Sequence, residues 1–280
     1  MESSSLFLSP LEISRTLRDV GSKKATAHIM ELFIYGILAG IYISLGAHTA
    51  LSVLSGGTLD AGLARLLAGS VFSVGLMLVL IPGSELFTGN ILMTIGFIYR
   101  KYSFLLVLRN WLIVYFGNFC GALLTGILVY KAGLLGNAHS LSPVGQVAVN
   151  IAQAKLELTV TEAISRGILC NMLVCLAVIM CIASRTIIGK IFGIFFPIMA
   201  FVASGYEHSV ANMYFLPVGL MSKGVFFSQF ATIFKNLLPV TIGNILGGLL
   251  IVFLHPKMFT LISRQIKKLM RQGDETPPQS

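Results

Sequence analysis

Apolar residues run along this chain in long blocks, not in the alternating or one-sided patterns of soluble strands and helices. A helix needs about 20 apolar residues to cross the hydrocarbon of a bilayer. Six blocks meet that requirement: Met30 to Leu54, Leu66 to Ile98, Asn110 to Tyr130, about Leu156 to Ser184, Ile191 to Met221, and Asn236 to Leu254. The second and fifth are too long for one straight crossing and too short for two with a turn. Each carries a polar interruption near its middle, Pro82-Gly83-Ser84-Glu85 in one and Ser204-Gly205-Tyr206-Glu207-His208 in the other. This predicts a discontinuous helix at each place, two half-helices joined by irregular backbone at membrane depth. Such backbone is tolerated only where protein buries it or a cavity wets it. Discontinuous helices of this kind often build transport sites.

The ends read differently. Ser9-Pro10-Leu11-Glu12 is a helix start, with Ser9 as N-cap, Pro10 in the first turn and Glu12 reaching back. Leu11, Ile13, Leu17 and Val20 alternate with Glu12, Arg15, Arg18 and Asp19, which predicts a short amphipathic helix at the membrane surface or on a partner subunit. The acidic, serine-rich start lacks the basic n-region of a cleavable signal. The tail from Lys257 carries Arg264, Lys267, Lys268 and Arg271 and reads as a basic juxtamembrane segment fraying into disorder. The expected organisation is an N-terminal helix in 1–27, a pore domain in 28–256 and a basic tail in 257–280.

Composition sharpens the membrane reading. Only 11% of the 280 residues are charged, against about 25% in soluble domains. A soluble enzyme is thereby nearly excluded. The net charge of +9 sits in the gaps between blocks, so it speaks for topology and headgroup contact rather than for nucleic acid. With both termini placed in the cytoplasm, 14 of the 20 Lys and Arg residues fall inside and five outside, with Arg166 left near the outer end of the fourth helix. That is a positive-inside bias. Cys120, Cys170, Cys175 and Cys181 all lie in apolar stretches and read as core thiols, with no metal or cofactor implied.

The halves echo each other. Gly36-Ile37-Leu38 matches Gly167-Ile168-Leu169. Gly83, Glu85 and Asn90 recur as Gly205, Glu207 and Asn212. Asn110 with Gly117-Asn118-x-x-Gly121 recurs as Asn236 with Gly243-Asn244-x-x-Gly247. The offsets of 131 (167 − 36), 122 (205 − 83) and 126 (236 − 110) are nearly constant. Three helices per unit force the second unit to enter from the opposite side, so an inverted repeat is expected, over about 28–132 and 155–256. Its site lies at the midplane, where the broken helices meet. The Gly-x-x-x-Gly pairs suit close helix contact.

The segments Gly83-Ser84-Glu85-Leu86-Phe87-Thr88-Gly89-Asn90, Gly167-Ile168-Leu169-Cys170-Asn171, Ala203-Ser204-Gly205-Tyr206-Glu207-His208-Ser209-Val210-Ala211-Asn212 and Asn236 to Asn244 closely resemble the formate/nitrite transporter family. The resemblance runs from about Ala25 to Leu254. It implies an all-α membrane protein with six transmembrane helices in an inverted 3+3 repeat, the second and fifth broken. It further implies an aquaporin-like protomer in a homopentamer, one pore each, in a cell membrane. The family's substrates are formate, nitrite, hydrosulfide, acetate and lactate. By motif, His208 matches the central pore histidine, Thr88 the threonine of the first break, Lys155 the basic residue at the outer mouth and Asn171 the asparagine behind it. Phe72, Leu76, Leu86, Phe87 and Phe201 match the apolar constrictions. Residues before Ala25 and the linkers around Ala138 and Lys223 match no motif.

These residue types suit anion passage. A bare anion at the bilayer centre costs a few kcal/mol on insertion scales and roughly 10 or more in simulations. Protonating a carboxylate of pKa about 3.5 at pH 7 costs about 5 kcal/mol. A pore then needs a mouth that gathers anions, the part expected of Lys155. It also needs a proton source at the centre, the part expected of His208. Read alone, Lys155 is more simply a surface lysine, and the resemblance reverses that. Thr88 offers a hydroxyl to substrate and to His208. Half-helix N-termini near Leu86 and Glu207 aim positive dipole ends at the midplane. Glu85 and Glu207 are expected to cap half-helices or pair with basic groups. Asn90, Asn212, Asn118 and Asn244 are expected to satisfy loop carbonyls. His28, His48, His139 and His255 read as structural. The alternatives are a neutral-solute or water channel, against which stands the lack of paired Asn-Pro-Ala boxes, and a membrane enzyme, for which no motif is present.

Overall fold

The computed structural model describes residues 5–57 and 59–254; His255 and the predicted basic tail lie outside the described residues. Helix α1 (Pro10–Thr26) starts as its sequence predicts. Ser9 accepts the Glu12 amide, the Glu12 carboxylate accepts the Ser9 amide at 2.8 Å, and Pro10 needs no partner at the first position. Then come α2 (Ile29–Leu54) and α3 (Ala61–Leu80), followed by an interruption. Beyond it lie α4 (Phe87–Asn90), a 3-10 turn (Ile91–Met93) and α5 (Thr94–Ile98). Helix α6 (Phe104–Lys131) leads into a two-stranded antiparallel hairpin, β1 (Gly136–Asn137) and β2 (Ser140–Leu141), with Gly136 opposite Leu141. The second half holds α7 (Pro143–Leu156), α8 (Val160–Ala183), α9 (Ile187–Ala203), α10 (Ser209–Ser222), α11 (Phe226–Gln229), a second 3-10 turn (Phe230–Ile233) and α12 (Phe234–Leu254).

Five stretches are long and apolar enough to cross a membrane: α2, α3, α6, α8, and α12 with the short turns before it. Their outward faces expose Leu105, Leu112, Phe116, Leu128 and Leu238. With so few charges, those faces belong in lipid, and the chain is a multi-pass membrane protein. The second and fifth apolar blocks are each interrupted, between α3 and α4 and between α9 and α10. Gly83 (φ 95°) and Gly205 (φ 70°) turn the backbone there through the left-handed region that side-chain-bearing residues avoid. Helix α7 and the hairpin fill a linker in which the apolar pattern predicts no element. Ser142 caps α7 and Pro143 opens it.

Glycine sets the packing. Helix α2 lies on α6, and α8 lies on α12, close enough for backbone contact. A Cβ at Gly117 would sit 2.7 Å from the Phe33 carbonyl oxygen, and one at Gly167 2.8 Å from that of Val240. Helix α3 packs on α9 through Phe72, Leu76, Ile194, Ile198 and Phe201, all buried. Helix α1 lies against α5 and the turn before it, over a smaller apolar cluster of Leu17, Leu92, Ile95, Cys175, Val178 and Val252. The chain before α1 bridges to the α8–α9 linker: the Leu8 amide donates to Ala183 and the Arg185 amide to Leu6.

Candidate functional site

Irregular backbone at this depth must find its hydrogen bonds inside the protein. At the first break the Glu85 amide donates to the Tyr35 carbonyl (3.2 Å). Asn118 of α6 clamps the loop: its Nδ2 donates to the Gly36 (2.8 Å) and Glu85 (2.9 Å) carbonyls, and its Oδ1 accepts the Phe87 amide (3.0 Å). Asn90 Nδ2 donates to the Glu85 carboxylate (2.6 Å) and to Asn110 Oδ1 (2.8 Å). Lys24 of α1 closes the cluster with bonds to Glu85 (2.9 Å) and Asn90 Oδ1 (2.8 Å).

The second break uses the same vocabulary. The Glu207 amide donates to Arg166 (3.3 Å). Asn244 Nδ2 donates to the Gly167 and Glu207 carbonyls (both 2.9 Å), while its Oδ1 accepts the Ser209 amide (2.9 Å). Asn212 Nδ2 donates to the Glu207 carboxylate (2.6 Å) and Asn236 Oδ1 (2.7 Å). Lys155, at the end of α7, bonds to Glu207 at 2.8 Å and lies 5.5 Å from the Phe215 ring centroid. Its own carbonyl accepts from Asn236 Nδ2 (2.9 Å). The glutamates thus pair with lysines. Asn118 and Asn244 satisfy loop carbonyls as expected, whereas Asn90 and Asn212 bind carboxylates instead.

Between the breaks, Thr88 Oγ1 and His208 Nε2 lie 2.9 Å apart, both buried. His208 is the N-cap of α10, and its Nδ1 accepts the Ala211 amide at 3.1 Å. A ring nitrogen that accepts carries no proton, so the neutral ring holds its proton on Nε2 and donates it to Thr88. The Thr88 hydroxyl proton is then free for a third group. Phe201 stacks on His208 (centroids 5.9 Å) and meets Phe72 edge-on (5.6 Å). Leu76 is buried beside them in the α3–α9 core, and Leu86 caps α4 without a polar contact. The Phe87 ring turns to α6, where it packs edge-on against Tyr115 (4.9 Å) and Trp111 (6.2 Å). Asn171 of α8 lies behind Thr88. Its Nδ2 donates to the Thr88 (3.2 Å) and Asn244 (2.7 Å) carbonyls, and its buried Oδ1 has no hydrogen-bond partner among the described residues.

The remaining candidates sit apart. His28 caps α2, and His48 bonds to Tyr214 Oη at 3.0 Å. The four cysteines are unpaired, and no cluster among the described residues could hold a metal ion. Sequence reasoning gave Lys24 only a topological role. The available signal was its offset from Lys155, 131 (155 − 24), equal to that of Gly36 and Gly167.

A cavity of about 510 Å³ opens beside the first break, under α1, lined among others by Lys24, Tyr35, Glu85, Leu86, Val178 and Lys190. A smaller one, about 260 Å³, lies between α7 and α10 and includes Gln153, Glu157 and Lys223.

Comparison with known proteins points to one family. The family model described as formate/nitrite transporter matches residues 11–257. A probable formate transporter of Methanothermobacter thermautotrophicus is 43% identical over 264 residues, covering 89% of this chain and 95% of that protein. The formate channel FocA of Escherichia coli (strain K12) is 36% identical over 266 residues, covering 88% and 92%. Among solved structures, an FNT family ion channel superposes with a TM-score of 0.78 at 28% identity, covering 90% of this chain and 99% of that one. A pentameric formate channel with formate bound gives 0.70 at 33% identity, covering 85% and 99%. A transporter rather than an enzyme is therefore at hand, and the chain belongs to the formate/nitrite transporter family.

Proposed function

We propose that this chain passes small monovalent anions of the formate class, or their conjugate acids, through a pore between the two helix breaks. The observation that carries this is the buried Thr88–His208 pair at 2.9 Å under the Phe201 ring, in a chain of this family. The Thr88 hydroxyl proton offers an anion a hydrogen bond without a fixed charge, and the half-helix termini add positive dipole. Phe72, Leu76, Leu86 and Phe201 narrow the path and strip water. Phe87, held by Trp111 and Tyr115, braces the first break. Asn171 orders the backbone under Thr88 and leaves one acceptor for a protonated substrate. Lys155 stands at the mouth, with its charge balanced by Glu207.

Proton exchange at His208 has a structural condition. To become an imidazolium the ring must gain a proton on Nδ1, which costs the bond to the Ala211 amide. An N-cap of this kind is worth about 1 kcal/mol. Exchange is therefore coupled to loosening of the first turn of α10.

The paired clusters support an inverted repeat and an aquaporin-like protomer of six membrane segments. Each unit opens on a surface helix, α1 or α7, whose far end supplies the lysine for its own break. The pentameric neighbour supports a homopentamer, and the Lys and Arg distribution supports cytoplasmic termini in a cell membrane. Nitrite, hydrosulfide, acetate and lactate extend the same chemistry.

The test is flux. Purified protein in liposomes should take up formate at a rate that depends on pH, and His208→Asn should change that dependence. Identical pH profiles would remove His208 from the mechanism. Osmotic swelling by neutral solutes without formate uptake would favour a neutral-solute channel.

A further inference from the structure

The lysines nearest the breaks are both neutralised. Lys24 lies 2.9 Å from Glu85 and Lys155 2.8 Å from Glu207. A pair of opposite charges at that spacing attracts a distant anion only weakly, because its field falls off as a dipole. The cavity under α1 nevertheless has a net positive wall. Its charged lining residues are Lys24, Glu85 and Lys190, and the first two cancel. Lys190 is half-buried and, among the described residues, makes no ion pair. The smaller cavity on the α7 side has no such excess, since Glu157 and Lys223 balance there.

The position of Lys190 is locally unfavourable. It follows the N-cap Thr186 by four residues, at the start of α9. The helix dipole there favours carboxylates and opposes cations. A residue set against its local field without a partner, facing a cavity, is expected at a functional site. Topology alone asks only for a cation somewhere in this linker, and the exposed Arg185, 3.5 Å from Glu12, already provides one.

We propose that Lys190 is the anion-capturing group of this cavity: it holds a small monovalent carboxylate beside the Lys24–Glu85 pair before the anion moves toward Leu86 and Thr88. This rests on the transport reading above and adds to it a station on one side of the constriction. Removing one unit charge from a semi-enclosed mouth corresponds to about a fivefold change in apparent affinity.

Two measurements on the full-length protein decide it. In liposomes, Lys190→Gln should raise the formate concentration for half-maximal flux about fivefold, leave the maximal rate within about twofold and weaken inhibition by added salt. Lys190→Arg should behave as wild type. In detergent, line broadening of carbon-13 formate should report binding to wild type and to Lys190→Arg, and should be several-fold weaker at the same formate concentration in Lys190→Gln. Unchanged half-saturation and unchanged broadening in Lys190→Gln, with wild-type flux present, would overturn the proposal and leave the transport reading intact. Broadening that depends on Lys190 in a protein that carries no formate would support the station and overturn the transport reading. Absence of both flux and broadening in wild type would overturn both.

Discussion

At the first break the residue that opens the following half-helix is Leu86, which has no polar atom to offer; at the second it is His208, whose Nδ1 takes the Ala211 amide. The frames around these two residues nearly coincide. Each has a glutamate whose carboxylate binds an asparagine and a lysine, and each has a second asparagine that clamps two carbonyls and one amide. Thr88, two residues after Leu86, answers to Val210, two residues after His208. The frame therefore holds backbone in the membrane, which both breaks need. The polar pair between the breaks comes from the few positions where the halves part, one hydroxyl from one side and one imidazole from the other.

That equivalence can be broken by experiment. The largest effect is expected at the carboxylates. Glu207→Ala strands a half-buried Lys155 and should cost about 3 kcal/mol, measured as loss of assembled protein or a fall in melting temperature in detergent. Glu85→Ala should cost less. Its partners are more open, with Lys24 22% and Glu85 12% exposed, against 14% and 5% for Lys155 and Glu207. Equal losses would mean that the two clusters have the same dielectric surroundings.

A middle-sized effect lies where the half-helices end. The Arg100 amide donates to Phe97 and the Lys101 amide to Gly96; on the other side Gly224 donates to Met221 and Val225 to Leu220. Both closures place one residue at positive φ, Gly224 at 75° but Arg100 at 55°. An ordinary side chain in that region costs about 1 kcal/mol. Arg100→Gly should thus stabilise the protein by about 1 kcal/mol in a thermal melt, whereas Gly224→Ala should destabilise it.

The smallest effect separates the two surface helices. Both open on Ser-Pro, Ser9-Pro10 and Ser142-Pro143, but only α1 has a carboxylate in its cap. The Ser9 hydroxyl, and then its amide, hold the Glu12 carboxyl below its usual value of 4.5. A lowered pKa means that the cap is fully in place above that value and is lost as pH falls through the lower one. Amide exchange protection in the first turn of α1 should fall under acid, while that of α7, capped by the Ser142 hydroxyl on the Gly145 amide, stays constant.

Much of this is legible in the sequence, for identifiable reasons. Block length reports crossings, and Gly-Glu-Asn triplets at a fixed offset report the breaks, because buried carboxylates and left-handed turns admit few substitutes. Helix α7 escapes notice because its 14 residues include Gln146, Asn150, Gln153 and Lys155, which dilute an apolar run already too short to span. The serine, proline and lysine it shares with α1 stand out only when the halves are aligned. The meeting of Thr88 with His208 is not legible from spacing at all. They are 120 residues apart and belong to different breaks, so only a family resemblance could pair them in advance. The turn of the Phe87 ring toward Trp111 and Tyr115 likewise depends on three-dimensional packing that an apolar pattern does not encode.

The cap on α10 has one more consequence. A proton hops along a file of hydrogen-bonded groups only if each member can receive on one side and release on the other. The Nδ1 atom of His208 faces a peptide N–H that never surrenders its hydrogen. While that bond holds, the imidazole is a dead end for a travelling charge, and a proton could cross through the ring only when the first turn of α10 opens.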